Sequence, residues 1–181
     1  MYNLDIKLFY IINQQLTNSF FDIFFALITN VKHWYPIILL FSIILIVKYK
    51  KQGLIIVGLL IVTIIISDQF SSHFLKNLIG RIRPCNTLDN VRLFIGKRRT
   101  FSFPSSHAVN IAAISYVLVY FFKQYKYLMI TLSFLVGYSR IYLGLHYPSD
   151  VIAGWIIGIL IGYLIIRVFE KIGGKFYEKD D

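Results

Sequence analysis

The stretch QGLIIVGLLIVTIIIS, residues 52–67, holds no Asp, Glu, Lys or Arg, and its only polar side chains are Gln52, Thr63 and Ser67. A helix at a water interface needs a polar face that returns every third or fourth residue. This run has none, so lipid is its natural solvent. Four more runs, residues 33–47, 100–122, 127–139 and 151–166, are likewise uncharged. A bilayer core of about 30 Å takes roughly 20 helical residues at about 1.5 Å each. Most of these runs reach that length only by borrowing their flanks, so they read as short membrane spans.

The whole composition agrees. Of 181 residues, 57% are hydrophobic and 15% charged, against about 25% charged in a soluble domain. Lys and Arg number 19 and Asp and Glu 9, a net charge of +10. A basic chain can bind nucleic acid, but here long uncharged stretches separate the cations and 16 Phe and 13 Tyr accompany them. The expected partner is the bilayer and not nucleic acid. With Cys85 as the single cysteine there is neither an internal disulfide nor a CxxC motif.

Residues 4–17 carry Asp5, Lys7, Asn13, Gln14 and Gln15 among apolar positions and do not read as a cleavable signal. They are expected to form an interfacial amphipathic helix. Phe20–Val31 follows, about 18 Å long as a helix, and is assigned as a short sixth span. The fold class is therefore all-α, a polytopic transmembrane bundle of five spans plus this sixth. It is one domain over 1–181: an interfacial helix at 1–18, a transmembrane bundle at 19–168 and a cytoplasmic tail at 169–181.

Turns at 48–52, 71–106, 123–126 and 140–149 sort the cations onto two sides. One side collects Lys48, Lys50, Lys51, Lys123, Lys126, Arg167, Lys171, Lys175 and Lys179. The other collects Lys32, Lys76, Arg81, Arg83, Arg92, Lys97, Arg98, Arg99 and Arg140. The first set lies in very short turns and a tail, where excess positive charge marks the cytoplasm. The second is concentrated in the connection 71–106 and is expected on the outer face.

That connection holds chemistry. In KNLIGRIRP, Lys76 and Arg83 stand seven residues apart, close to two helical turns, so on one helix both would leave the same face and could hold one phosphoryl group. Pro84 would end that helix. In SFPSSH, Pro104 suits a first helical position, which puts Ser105 and Ser106 in the first turn, where unpaired backbone N–H groups favour an anion. His107 follows as a proton donor. In SRIYLGLHYPSD, Pro148 marks a helix start, and Asp150 in its first turn can reach back to a ring nitrogen of His146. Such a carboxylate fixes the tautomer and leaves the other nitrogen as a nucleophile. Arg140 adds a third cation. Taken singly, each motif also reads as a helix cap or a solvated surface; together they converge on one membrane face.

In this order, Lys76 with Arg83 and Pro84, then Pro104, Ser105, Ser106 and His107, then Ser139, Arg140, His146 and Asp150 resemble the three-part signature of the type 2 phosphatidic acid phosphatase family, KxxxxxxRP, PSGH and SRxxxxxHxxxD. Ser106 stands where that pattern has Gly. The resemblance implies that His146 attacks phosphorus, oriented by Asp150, and that His107 protonates the leaving oxygen. It implies that Lys76, Arg83, Arg140, Ser105 and Ser106 hold the phosphate oxygens, with no metal or other cofactor. Its substrate would be a lipid phosphate: lipid A 1-phosphate, undecaprenyl pyrophosphate or phosphatidylglycerophosphate. The protein would sit in a bacterial inner membrane, its site facing the periplasm or exterior, with no obligatory protein partner.

Lys97, Arg98 and Arg99 are candidate headgroup contacts or a general attraction for anionic lipid. Gly154, Gly158 and Gly162 read as a close-packing stripe within the bundle in preference to a dimer seam, and Asp68 and His73 as solvated helix-end groups in preference to groups that orient a site cation. Alternatives are a lipid-to-lipid phosphotransferase, a non-enzymatic anion or lipid transporter, and a small structural membrane subunit.

Overall fold

A computed structural model describes residues 2–173, all of whose regular elements are helical. Lys175, Lys179 and the rest of the tail past residue 173 lie outside the described residues. Helix α1, Tyr2–Tyr10, runs on through a π-helical turn, Ile11–Gln15, so the expected N-terminal helix is present. Next come α2, Ser19–Thr29, and α3, Val31–Asp68. Asn18 caps the first, its Oδ1 accepting from Phe21 N at 2.8 Å, and Asn30 caps the second, accepting from Lys32 N at 3.2 Å.

Helix α3 is two antiparallel arms. Lys50, at φ 49 and ψ −120, breaks the helical path. A Cβ on Gly53 would lie 2.0 Å from the Leu45 carbonyl oxygen, whereas residues eight apart in a straight helix are separated by about 12 Å. The turn expected at 48–52 is therefore there, with its three lysines at the tip. A π-helical turn, Gln69–Leu75, extends the second arm into α4, Lys76–Ile79, and α5 follows at Pro84–Thr87. Helix α6 spans Ser106–Phe121, α7 Lys126–Tyr142 and α8 Pro148–Ile172.

Polarity is inverted relative to a soluble globule. Asn13, Thr63, Ser67, Ser71, Ser139 and Asp150 are buried, whereas Leu39, Val47 and Leu164 are exposed. The hydroxyls among these are bonded; for example, Thr63 Oγ1 donates to Leu59 O at 2.6 Å and Ser67 Oγ to Asn110 Oδ1 at 2.7 Å. Apolar surface this extensive is tolerable only where the surroundings are apolar too. Two segments, Val31–Thr87 and Pro148–Ile172, are long and apolar enough to cross a membrane, and the first contains the reversal at Lys50. Helix α6 has 16 residues and α2 has 11, about 24 and 16 Å, so α2 alone falls well short of a bilayer core.

The glycine stripe seats α8 on α6. A Cβ at Gly154 would meet Ala108 Cβ at 2.8 Å, at Gly158 the Val109 carbonyl oxygen at 2.3 Å, and at Gly162 Tyr116 Cβ at 2.8 Å. Only a missing side chain lets the backbones come this close. At one end of the bundle Tyr49 packs on Phe122 at 5.5 Å and Phe121 on Phe169 at 5.8 Å. The lysine-bearing turns thus cluster together. At the other end α1 lies across the helix tops, burying Asp5, Phe9 and Asn13 on one side, with Phe9 against the Tyr147 ring at 5.9 Å.

Candidate active site

Lys76 and Arg83 are both buried, but not on one helix. Gly80, at φ 64, ends α4 by returning its N–H to Lys76 O at 2.9 Å. Pro84, expected to stop a helix, begins α5 instead, because its missing N–H costs nothing at the first position. Arg83 therefore reaches the site from an extended N-cap. Its Nε donates to Thr100 O at 2.8 Å, Nη2 to Thr100 Oγ1 at 2.9 Å and Nη1 to Leu145 O at 3.0 Å. Nη1 also lies 2.9 Å from His146 Nε2. A guanidinium only donates, so Nε2 carries the lone pair and a neutral His146 holds its proton on Nδ1.

Helix α6 begins two residues later than its proline suggested. Ser105 is the N-cap and Ser106 the first helical residue, with Pro104 outside. The cause is a backbone tie: Ser105 N donates to Asp150 O at 3.1 Å, so Ser105 belongs to the α6–α8 junction. Ser106 turns its hydroxyl away from the helix N-terminus: Ser106 Oγ and Ser72 Oγ are 2.9 Å apart, and Ser72 reaches Asp68 Oδ1 at 3.1 Å. Asn110 Nδ2 donates to the same oxygen at 3.2 Å. Asp68 is thus a network member and not the solvated helix end expected of it, whereas His73 is exposed.

His107, half-buried in the first turn of α6, stands beside the Thr29 backbone at the end of α2. Arg140 Nη1 donates to Thr29 Oγ1. Gly144, at φ 78, ends α7 and turns the chain so that His146 points inward just before α8. Asp150 is the third residue of α8 and fully buried. The expected hydrogen bond to His146 is stretched: Nδ1 and Oδ2 are 3.6 Å apart. Asp150 spends its oxygens elsewhere, Oδ1 on Arg81 Nη1 at 2.6 Å and Oδ2 on Tyr147 N at 2.9 Å and on the Ser102 hydroxyl. Burial, with Arg83, Arg140 and Lys76 nearby, holds the His146 imidazole well below its ordinary range, so it is neutral at physiological pH.

Lys76, Arg83 and Arg140 are close enough to act electrostatically on one another and on His146, and Lys76 and Arg140 act on His107 as well. Among the described residues none of the three forms an ion pair. A buried cation with no carboxylate in direct contact is costly. Three side-chain atoms among the described residues are buried without a hydrogen-bond partner: Ser105 Oγ, Arg140 Nε and His146 Nδ1. All three belong to residues singled out from the sequence. Chemically, the cluster offers an anion three cations, a hydroxyl and the N-terminus of α6.

Lys97, Arg98 and Arg99 are exposed on the coil before Thr100, where Asn86 Nδ2 holds the Arg98 carbonyl at 3.0 Å. Sequence reasoning gave no role to Arg81, Asp5, Ser102, Thr100 or Thr29, which the fold brings to the same place. Arg81 alone carried a signal, as the first arginine of GRIRP.

A family profile described as the PAP2 superfamily matches residues 56–173. A lipid A 4'-phosphatase from Bacteroides thetaiotaomicron is 35% identical over 166 residues, covering 87% of this chain and 74% of its own length. An undecaprenyl-diphosphatase from Sulfolobus acidocaldarius is 28% identical over 136 residues, covering 75% of this chain and 63% of its own. The crystal structure of Aquifex aeolicus LpxE superposes with a TM-score of 0.76 at 28% identity, covering 91% of this chain and 95% of that one.

Proposed function

Because the chain belongs to the PAP2 superfamily and is a membrane lipid phosphatase, we propose that it hydrolyses a phosphate on a lipid headgroup through a phosphohistidine, without a metal. The observation that carries this reading is the set of three buried cations, Lys76, Arg83 and Arg140, none of which is in an ion pair among the described residues. A phosphate would meet two needs at one point: charge to balance, and the Ser105 Oγ and Arg140 Nε donors, which have no hydrogen-bond partner among the described residues. Their neighbour His146 presents the lone pair of Nε2.

The reaction then balances in two steps. His146 Nε2 attacks phosphorus, the bond from phosphorus to the lipid oxygen breaks, and His107 gives that oxygen a proton. Water next attacks the phosphohistidine, His107 takes the water proton, and the phosphorus–nitrogen bond breaks to release phosphate. Lys76, Arg83, Arg140, the Ser105 hydroxyl and the N–H groups of Ser106 and His107 bear the charge that builds on the equatorial oxygens. Asp150, bonded through Oδ1 to Arg81, keeps Oδ2 facing Nδ1 and steadies the imidazolium side of the ring. With its hydroxyl engaged by Ser72, Ser106 offers the anion its backbone N–H.

The substrates that fit are a lipid A phosphate or a polyprenyl pyrophosphate. Lys97, Arg98 and Arg99 lie on the coil anchored to Arg83 through Thr100 and supply charge for a second phosphate. We assign the protein to a bacterial inner membrane as five spans plus the short α2, with the lysine-rich turns in the cytoplasm and the site on the outer face. Phosphate release from purified lipid A phosphates, undecaprenyl pyrophosphate and phosphatidylglycerophosphate tests this. Wild type should turn over at least one of them, and His146→Ala and His107→Ala none. An acid-labile phosphoprotein that vanishes in His146→Ala separates an enzyme from a transporter. Wild-type turnover in both variants would overturn the roles.

A further inference from the structure

The N-terminal helix is tied to the site by charge. Asp5 on α1 accepts from Arg81 Nη2 through Oδ2 at 2.5 Å, from Ser149 Oγ through the same oxygen at 2.5 Å, and from Ser149 N through Oδ1 at 2.9 Å. Arg81 Nη1 in turn donates to Asp150 Oδ1 at 2.6 Å and to Ser149 Oγ at 2.7 Å. The Arg81 guanidinium is clamped over the Tyr147 ring at 4.0 Å, and Ser102 N closes the loop on Arg81 O at 2.7 Å. Asp5 and Asp150 are both buried. One arginine therefore bridges two carboxylates that stand 145 positions apart in the chain.

Building on the phosphatase reading, we infer that Arg81 and Asp5 are positioning residues for the His146–Asp150 pair, and that α1 is part of the active-site scaffold as well as a surface helix. Two effects follow from the geometry. Arg81 holds Oδ1, so the oxygen turned to His146 Nδ1 is Oδ2, which also accepts from Tyr147 N and the Ser102 hydroxyl. Arg81 alone would cancel the charge of Asp150, but Asp5 offsets Arg81, so the trio keeps one net negative charge beside the ring. That charge favours the imidazolium-like state reached as Nε2 bonds to phosphorus. The charged groups facing His146 are otherwise Arg83 from the α4–α5 connection, Arg140 from α7, Lys76 from α4 and His107 from α6, in addition to Asp150 on α8.

The test uses the full-length protein in detergent, with kcat and KM measured across pH for Asp5→Asn, Arg81→Gln and Arg81→Lys on whichever lipid phosphate the wild type hydrolyses. Asp5→Asn removes a negative charge from the trio, so the acid limb of kcat should move to lower pH and kcat fall about tenfold, with KM within twofold. Arg81→Gln removes the positive charge, so the limb should move the other way. Arg81→Lys keeps the charge but not the fork; its limb should stay while kcat falls. Opposite displacements cannot come from loss of folded protein alone. Unmoved limbs in both Asp5→Asn and Arg81→Gln, with or without a loss of kcat, would overturn the positioning role while leaving the phosphatase reading standing. A wild type that releases phosphate from no lipid would overturn both.

Discussion

Arg83 Nη1 lies 2.9 Å from His146 Nε2, and the same nitrogen donates to Leu145 O at 3.0 Å. The cation that would grip the phosphate thus touches the atom that would attack it. Arg83→Lys keeps a charge but loses the planar fork that also binds Thr100. Phosphate release should fall by about 10² to 10³ in kcat/KM, the scale of one lost transition-state donor, or roughly 3–4 kcal/mol.

The depressed imidazole of His146 makes stability depend on pH in a fixed sense. Its folded value is below the ordinary 6.5, so between the two values the unfolded chain binds more protons than the native one. The contribution is fully present above about pH 6.5 and is lost as pH falls through the folded value. Thermal unfolding in detergent should shift down in mildly acid buffer. The shift should be smaller in His146→Gln, which has no proton to gain.

In the proposed mechanism the buried Lys76, Arg83 and Arg140 would supply the charge that a divalent ion otherwise brings to phosphoryl transfer. Turnover of the lipid phosphate should therefore be unchanged after exhaustive dialysis against EDTA. A loss restored by added Mg²⁺ or Zn²⁺ would contradict the metal-free mechanism.

Ser106 departs from the glycine of the family pattern, and its hydroxyl bonds to Ser72. Ser106→Ala should cost about 0.5–1.5 kcal/mol of stability, the worth of one buried hydrogen bond. It should leave kcat within a few-fold, because the backbone N–H proposed to face the phosphate is retained. Melting temperature and phosphate release on the same sample separate the two.

Gly158→Leu puts a side chain where a Cβ alone would stand 2.3 Å from the Val109 carbonyl oxygen. Overpacking of this kind costs about 1–3 kcal/mol or more. The variant should melt lower and lose turnover together, since α8 carries Asp150 and α6 carries His107.

The residues most legible from the chain were those whose type and spacing already imply chemistry. Lys76, Arg83, His107, Arg140, His146 and Asp150 all gather at one end of the bundle, as the motifs required. Prolines were informative about helix ends but ambiguous in sense: Pro84 starts a helix and does not stop one, and Pro104 lies outside α6, because backbone ties at Gly80 and between Ser105 and Asp150 set those boundaries. Arg81 with Asp5 could not be read at all. Their meeting depends on α1 folding back over the tops of distant helices, and no local period encodes that. Asp68 was legible only in part: Ser72 lies one turn further along the same helix, but Asn110 reaches it only when α6 packs on α3.

The glycine seam between α6 and α8 has a mechanical sequel. With Val109 and Ala108 pressed onto Gly158 and Gly154, and Ser105 N hooked on Asp150 O at 3.1 Å, these two helices behave as one rigid jaw bearing both histidine motifs. His107 and Asp150 are therefore carried on a single block, and a shift of either helix drags the other motif with it.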